Sequence, residues 1–255
     1  MGSPDEGTPR PSKSKIRRAG STIRRIGTDA APTDDAIMEA LETCQLYRSC
    51  FADPTRKVLD TVNQLCIEND ITSENTSRLK RLRTIIEKLA VREDGLDLSR
   101  MRDLGGCRAV VIDLAAVRKL ESLVCAHPGF GSVKPIDYIK EPRVSGYRSL
   151  HLIIDMDGLP VELQIRTLRM HDWAQLVENW SMTTEFNLKQ DSMSTDQKDE
   201  RIVREFLATW SEHMAHQEHG RDLPEELGAI MQKQAVKVED VIERQIELRT
   251  RRANE

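Results

Sequence analysis

Asp103 and Glu162 are the carboxylates of this sequence placed where an acid can do chemistry. Asp103 stands just before Gly105-Gly106 and the apolar run Ala109-Val110-Val111-Ile112, and Glu162 lies inside the alternating run 160–166. Two carboxylates so placed can hold a Mg²⁺ ion that neutralises a polyphosphate, although most acids in any chain are solvated surface charges. In 160–166 the side chains of Val161, Leu163 and Ile165 face one way and those of Glu162, Gln164 and Arg166 the other. One face reads as core and the other displays chemistry. Tyr147, beside the flexible Gly146, can stack on a base; a tyrosine next to a turn equally suits half-buried packing. Arg78, Lys80 and Lys88 can grip phosphates, lysine as a point charge and arginine as a planar fork. The same three residues also fit an ordinary solvated helix face.

Elements must position these groups. The run 150–155, the turn Met156-Asp157-Gly158-Leu159 and the run 160–166 read as a β-hairpin, because Asp-Gly between two alternating runs is a strong hairpin signal. Ala109 to Ile112 reads as a buried strand, and the Asp and two Gly before it as a turn where backbone approaches a ligand. Residues 133–139 read as a further strand, with Pro135 marking an edge. Helical spacing of apolar residues predicts two helices on either side of Pro54, a third from Thr76 or Ser77 to about Val91, and others over 114–127, 168–182, 197–219 and 223–252. Alternating α and β elements argue for an α/β fold, a sheet with flanking helices.

The 255 residues divide as a mobile basic arm over 1–33, a central domain over 34–190 and C-terminal helices over 191–255. The arm holds four of the ten prolines, and residues 12–25 carry six Lys/Arg and no acid, which suits either a solvated segment or a contact to phosphates. The whole chain, with 42 acidic against 38 basic residues, is no general nucleic-acid binder. Five cysteines without a Cys-x-x-Cys pair suggest reduced, mostly core thiols, and no run approaches the roughly 18 apolar residues of a membrane span. The expectation is a cytoplasmic protein with no membrane contact. His213, His216 and His219 spread over about a third of a helix circumference, His171-Asp172 lacks further ligands, and Gly105-Gly106 is too short for a dinucleotide fingerprint.

Four ordered blocks carry a resemblance. They are Arg78-Leu79-Lys80 through Ile86-Glu87-Lys88-Leu89; Asp103-Leu104-Gly105-Gly106-Cys107-Arg108; Asp137-Tyr138-Ile139-Lys140 through Gly146-Tyr147-Arg148-Ser149-Leu150-His151; and Val161-Glu162-Leu163-Gln164-Ile165-Arg166-Thr167 with Trp173-Ala174 following. Together they resemble the synthetase domain of the RelA/SpoT family, which makes the stringent-response alarmones. The resemblance implies a mixed β-sheet flanked by helices, nucleotidyltransferase-like, with additional N- and C-terminal helices. It also implies Mg²⁺-dependent transfer of the β,γ-pyrophosphate of ATP to the 3′-hydroxyl of GDP or GTP. By that likeness Arg78 and Arg108 sandwich the adenine, and Lys80, Thr84 and Lys88 contact the ATP phosphates. Asp103 and Glu162 bind Mg²⁺, with Glu162 also acting as general base. Tyr147 stacks on the acceptor base, with Lys140, Arg148, His151, Gln164 and Arg166 around it.

The chain is similar to small, single-domain synthetases, which often form homo-oligomers. The loop Glu141-Pro142-Arg143-Val144-Ser145 departs from the guanosine-specific pattern, which has an Asn before the Gly-Tyr and more lysine. The basic arm and the Gly-Gly-Cys-Arg block are similar to the toxin branch of the family. That likeness implies two other acceptors, an adenosine nucleotide or the 3′ end of tRNA met through the arm, and an antitoxin as partner. A third reading, an inactive nucleotide or RNA sensor, sits badly with the presence of both Asp103 and Glu162.

Overall fold

The computed structural model describes residues 10–92, 96–189 and 197–253. Five strands form one mixed sheet: β1 (Ser73–Leu79), β2 (Gly105–Val111), β3 (Val133–Asp137), β4 (Leu150–Met156) and β5 (Leu159–Thr167), in the order β1-β2-β5-β4-β3. The pair β2/β5 is parallel and the others are antiparallel. The β4–β5 hairpin forms as expected, and both of its turn residues, Asp157 (φ 56°) and Gly158 (φ 71°), adopt the left-handed backbone that a tight two-residue turn requires. Pro135 lies on the edge strand β3, where its missing N–H costs little.

Helices α1 (Lys13–Arg24), α2 (Asp34–Ser49), α3 (Ala52–Glu68), α4 (Leu82–Glu87), α5 (Leu114–Ala126), α6 (Leu168–Thr183), α7 (Lys198–Glu218) and α8 (Glu225–Ala253) surround the sheet. One face of the sheet is sealed by α3 and α5: Cys107, Ala109, Leu152, Leu163 and Ile165 bury there with Val58, Val62, Val117 and Leu120. Gly105 is required at that contact, since a Cβ on it would stand 2.2 Å from Thr55 Oγ1. Helices α6, α7 and α8 join the same core through Trp173, Val177, Leu207 and Val241. The opposite sheet face carries the site.

Three expectations need correction. The helix foreseen from Thr76 or Ser77 to about Val91 is instead strand β1, an extended Lys80-Arg81 link, the short α4 and a π-helical turn at Lys88–Arg92. Strand β1 (Ser-Glu-Asn-Thr-Ser-Arg-Leu) is a polar edge strand, so it lacks the apolar alternation that announces strands; its pairing with β2 decides its conformation. Gly105-Gly106 lies within β2 rather than in a turn before it. The basic arm is not free: residues 13–24 form α1, capped by Ser12 and burying Ile16, Ala19 and Ile23 in a second core with Tyr47, Phe51 and Leu98. Residues 1–9 and the proposed boundary at 190/191 lie outside the described residues. Cys44, Cys66 and Cys107 are buried free thiols, in keeping with the expectation of reduced core cysteines.

Candidate active site

Strand register assembles the site. Two rows of side chains cross the open face, Arg78, Gly106, Glu162 and Ile153 in one, Thr76, Arg108, Gln164 and His151 in the next. Gly106 leaves the space between Arg78 and Glu162 unfilled. Arg78 and Arg108 are diagonal neighbours across the β1/β2 pair, a relation that spans about 7–8 Å.

Two cavities meet on this face. The smaller, of about 210 Å³, is lined by Thr76, Arg78, Lys80, Asp103, Gly106 and Arg108, among others. The larger, of about 580 Å³, is lined by Tyr138, Arg143, Tyr147, His151, Arg166 and Trp173, with Arg100 and Arg102 at one side. Arg78, Asp103, Arg108, Glu162 and Gln164 border both and form the wall between them.

Glu162 is held by a closed ring of hydrogen bonds. Gln164 Nε2 donates to its Oε2 at 2.8 Å, and His151 Nδ1 lies 2.9 Å from its Oε1. His151 Nε2 is 2.7 Å from the Tyr147 hydroxyl, and Arg166 donates to both Tyr147 Oη (2.6 Å) and Gln164 Oε1 (2.7 Å). With Glu162 ionised, Nδ1 carries the His151 proton and Nε2 accepts from Tyr147, so every link has a donor and an acceptor. Burial pushes the Glu162 carboxyl up, but His151 and Gln164 outweigh it and hold it below the usual carboxylate range. Asp103 follows the same logic: burial raises it, and Lys80 and Lys88, at 2.8 and 3.2 Å from its Oδ2, bring it lower than usual. Both acids are therefore anionic at neutral pH.

Asp103 Oδ1 is buried without a hydrogen-bond partner, as is Arg108 Nε. An orphaned carboxylate oxygen in the same wall as a second carboxylate suits Mg²⁺, which takes one or two carboxylates and leaves its other positions to water and phosphate. No group of three or more His, Cys, Asp or Glu able to hold a metal occurs among the described residues, so a dedicated all-protein cage is not what this site offers. Burial, then Arg166 and Arg78, lower the pKa of Arg108. Three arginines crowded in this way favour an anionic ligand.

Of the residues expected at the site, Asp103, Glu162, Arg78, Lys80, Lys88, Arg108, Tyr147, His151, Gln164 and Arg166 converge on these cavities. Thr84, Lys140 and Arg148 line neither. Thr84 is on α4, one turn before Lys88; the Lys140 side chain is exposed beyond the Asp137-capped turn. Arg148 instead points to α7, donating to Ser211 Oγ (2.9 Å) and to the Ile139 carbonyl. The sequence reading assigned no role to Arg100, Arg102, Tyr138 or Arg143. The Arg143 guanidinium lies 4.5 Å from the Tyr138 ring centre, and the Arg-Met-Arg triplet just before Asp103 was the available signal for the first two.

A five-stranded mixed sheet with this cover is the fold of the small alarmone synthetases. That of Bacillus subtilis small alarmone synthetase 2 aligns with a TM-score of 0.53 and 26% identity, over 66% of this chain and 91% of the other. The particular likeness comes from sequence: residues 77–185 match the family model described as the region found in RelA / SpoT proteins. Among curated relatives, B. subtilis GTP pyrophosphokinase YwaC is 32% identical over 39% of this chain and 53% of its own length. GTP pyrophosphokinase YjbM of the same organism is 33% identical, over 40% and 52%. The chain thus spans about half the length of the curated relatives it matches.

Proposed function

We propose that this protein is an ATP pyrophosphokinase that uses Mg²⁺ to make guanosine alarmones from GDP or GTP. The observation that carries the reading is the wall shared by two cavities, with both carboxylates and two arginines in it, a small chamber with Lys80 on one side and a larger one with Lys88 and aromatic rings on the other. The names of the relatives, GTP pyrophosphokinases, support it.

In this reading the adenine lies between Arg78 and Arg108, and the triphosphate draws Lys80 and Lys88 from Asp103. Asp103 Oδ1 and Glu162 would hold Mg²⁺, which supplies neutralising charge to the triphosphate. The acceptor base stacks on Tyr147. Its 3′-oxygen attacks the β-phosphorus, the bond from that phosphorus to the α,β-bridging oxygen breaks, and AMP leaves; the hydroxyl proton passes to Glu162 or to water. A carboxylate held below its usual range is a weak base, so the first duty of Glu162 is charge, in keeping with a loose transition state that needs little proton abstraction. Such chemistry belongs in the cytoplasm, where both nucleotides are held. Incubation with labelled ATP and each of GDP, GTP, AMP and ADP, followed by separation of products, tests the proposal. Label in a guanosine 3′-diphosphate is expected, and none in any guanosine product would end it.

A second reading has its own observation. The larger cavity continues past Arg100 and Arg102 into an adjoining one of about 490 Å³ that also holds Lys134. A nucleic-acid 3′ end, such as that of tRNA, suits a basic track of this length. Recognition through the N-terminal arm is less favoured, because Arg17 pairs with Asp97, Arg18 with Glu39, and Arg24 with the Leu96 carbonyl. Adding tRNA to the same panel separates the readings: label in tRNA, lost in an Arg100→Gln/Arg102→Gln variant, would favour the second.

A further inference from the structure

Helix α1 lines neither cavity of the site, yet three of its residues converge on the segment that delivers Asp103. Gly20 faces Leu98, where a Cβ would stand 2.8 Å from the Leu98 Cβ and 3.2 Å from its backbone nitrogen. Those atoms belong to the base of a fully buried residue and cannot swing aside as a side-chain tip can. Arg17 Nε meets Asp97 Oδ2 at 3.2 Å, while Oδ1 of the same carboxylate accepts from Ser99 N at 2.8 Å and caps the 3₁₀ turn Leu98–Arg100. Arg24 donates to the Leu96 carbonyl.

This segment needs external support. A three-residue 3₁₀ turn has poor hydrogen-bond geometry of its own. Arg100, its last residue, and Met101, Arg102 and Asp103 after it line the larger cavity, and the Leu104 carbonyl accepts from Lys80 N at 2.9 Å. The far end is thus fixed by the sheet and the near end by α1. A shift of Leu98, the last residue of the segment that α1 touches here, travels along five residues of backbone to the Asp103 carboxylate.

We infer that α1 is a clamp on the Asp103 segment, and that Arg17, Gly20 and Arg24 are positioning residues for the transfer. The effect on rate rests on the function proposed above; the effect on the segment does not. Half of the basic residues that suggest a phosphate-binding arm in the sequence thereby act, or pair, inside the molecule.

The test uses the full chain and the variants Arg17→Gln, Arg17→Lys, Gly20→Ala and, as control, the exposed Ser21→Ala. Hydrogen exchange is followed at the amides of Ser99, Arg100 and Met101, whose acceptors are in Asp97 and Leu98. In Arg17→Gln and Gly20→Ala, exchange there accelerates about tenfold or more, with β4 and β5 unchanged. In the same variants kcat falls roughly 10- to 100-fold while the acceptor KM stays within about twofold, as for a misplaced catalytic group. Arg17→Lys restores part of the loss, and Ser21→Ala matches the wild type. Unchanged exchange at the three amides, or acceleration spread equally over β4 and β5, would overturn the clamp. A wild type without transfer activity would remove the proposed reaction instead, and the exchange data alone would then decide the clamp.

Discussion

Glu162 depends on His151 more directly than on any other side chain, because the His151 contact is the largest influence opposing burial. Replacing His151 by Ala leaves burial opposed chiefly by Gln164, so the Glu162 pKa rises. The acid limb of the pH profile of kcat/KM should therefore move to higher pH, with Tyr147 losing a partner at the same time; an unmoved limb would show that the ring does not tune this carboxylate. In the intact protein the sign is that of a depressed acid. The stability contributed by Glu162 and Asp103 is present above the ordinary carboxylate value of about 4 and is lost as pH falls through their lower folded values. Two adjacent glycines make a sharper contrast. A Cβ on Gly106 would meet Glu162 O at 3.7 Å and Arg78 O at 3.9 Å, ordinary contacts, so Gly106→Ala should fold normally and raise the KM for ATP by narrowing the smaller cavity. Gly105→Ala, with its Cβ 2.2 Å from Thr55 Oγ1, should cost about 1–3 kcal/mol in a denaturant titration, as overpacking does.

Among the elements, the β4–β5 hairpin was fully legible, because alternation and Asp-Gly act locally and agree with each other. Strand β1 was not: its residues are polar, it lies at the sheet edge, and its conformation comes from pairing with β2, a partner about thirty positions away. For the same reason Arg78 and Lys80 were expected on a helix, whereas β1 and the link after it place both against the smaller cavity. Arg148 illustrates a different limit. A residue beside Tyr147 reads as a pocket residue, and only the docking of α7 reveals that it turns away to Ser211. That docking has a consequence for the acceptor loop. Gly146 has φ +89°, and a Cβ there would stand 3.0 Å from Ser211 Cβ and 3.2 Å from Ala208 Cα, while Ser211 donates to the Gly146 carbonyl. Gly146→Ala should push Tyr147 out of place and raise the acceptor KM by roughly 5- to 100-fold, the worth of one stacked base, with the KM for ATP little changed. An equal rise in both constants would indicate general damage instead.

At the scale of the molecule, a net charge of -4 coexists with a site in which Arg78, Arg100, Arg102, Arg108 and Arg166 gather around two cavities. Local concentration of cations, not overall charge, is what would draw a polyphosphate, so rising ionic strength should weaken nucleotide binding by screening it. Among the described residues no helix is long and apolar enough to cross a membrane. Helix α1 packs into the second core with Leu79 and Leu159 of the sheet, and α7 into the main core through Val203, Leu207 and Met214. Which bond of ATP breaks at the wall between the cavities decides the proposed function. Phosphorus NMR of a reaction containing ATP, GDP and Mg²⁺ reads this directly. The expected result is AMP and a guanosine 3′-diphosphate in equal amounts, with both signals lowered roughly 100- to 1,000-fold in rate, on the order of a lost charge-stabilising group, by Glu162→Gln. Formation of ADP, or release of AMP with no phosphorus gained by the guanosine nucleotide, would contradict it.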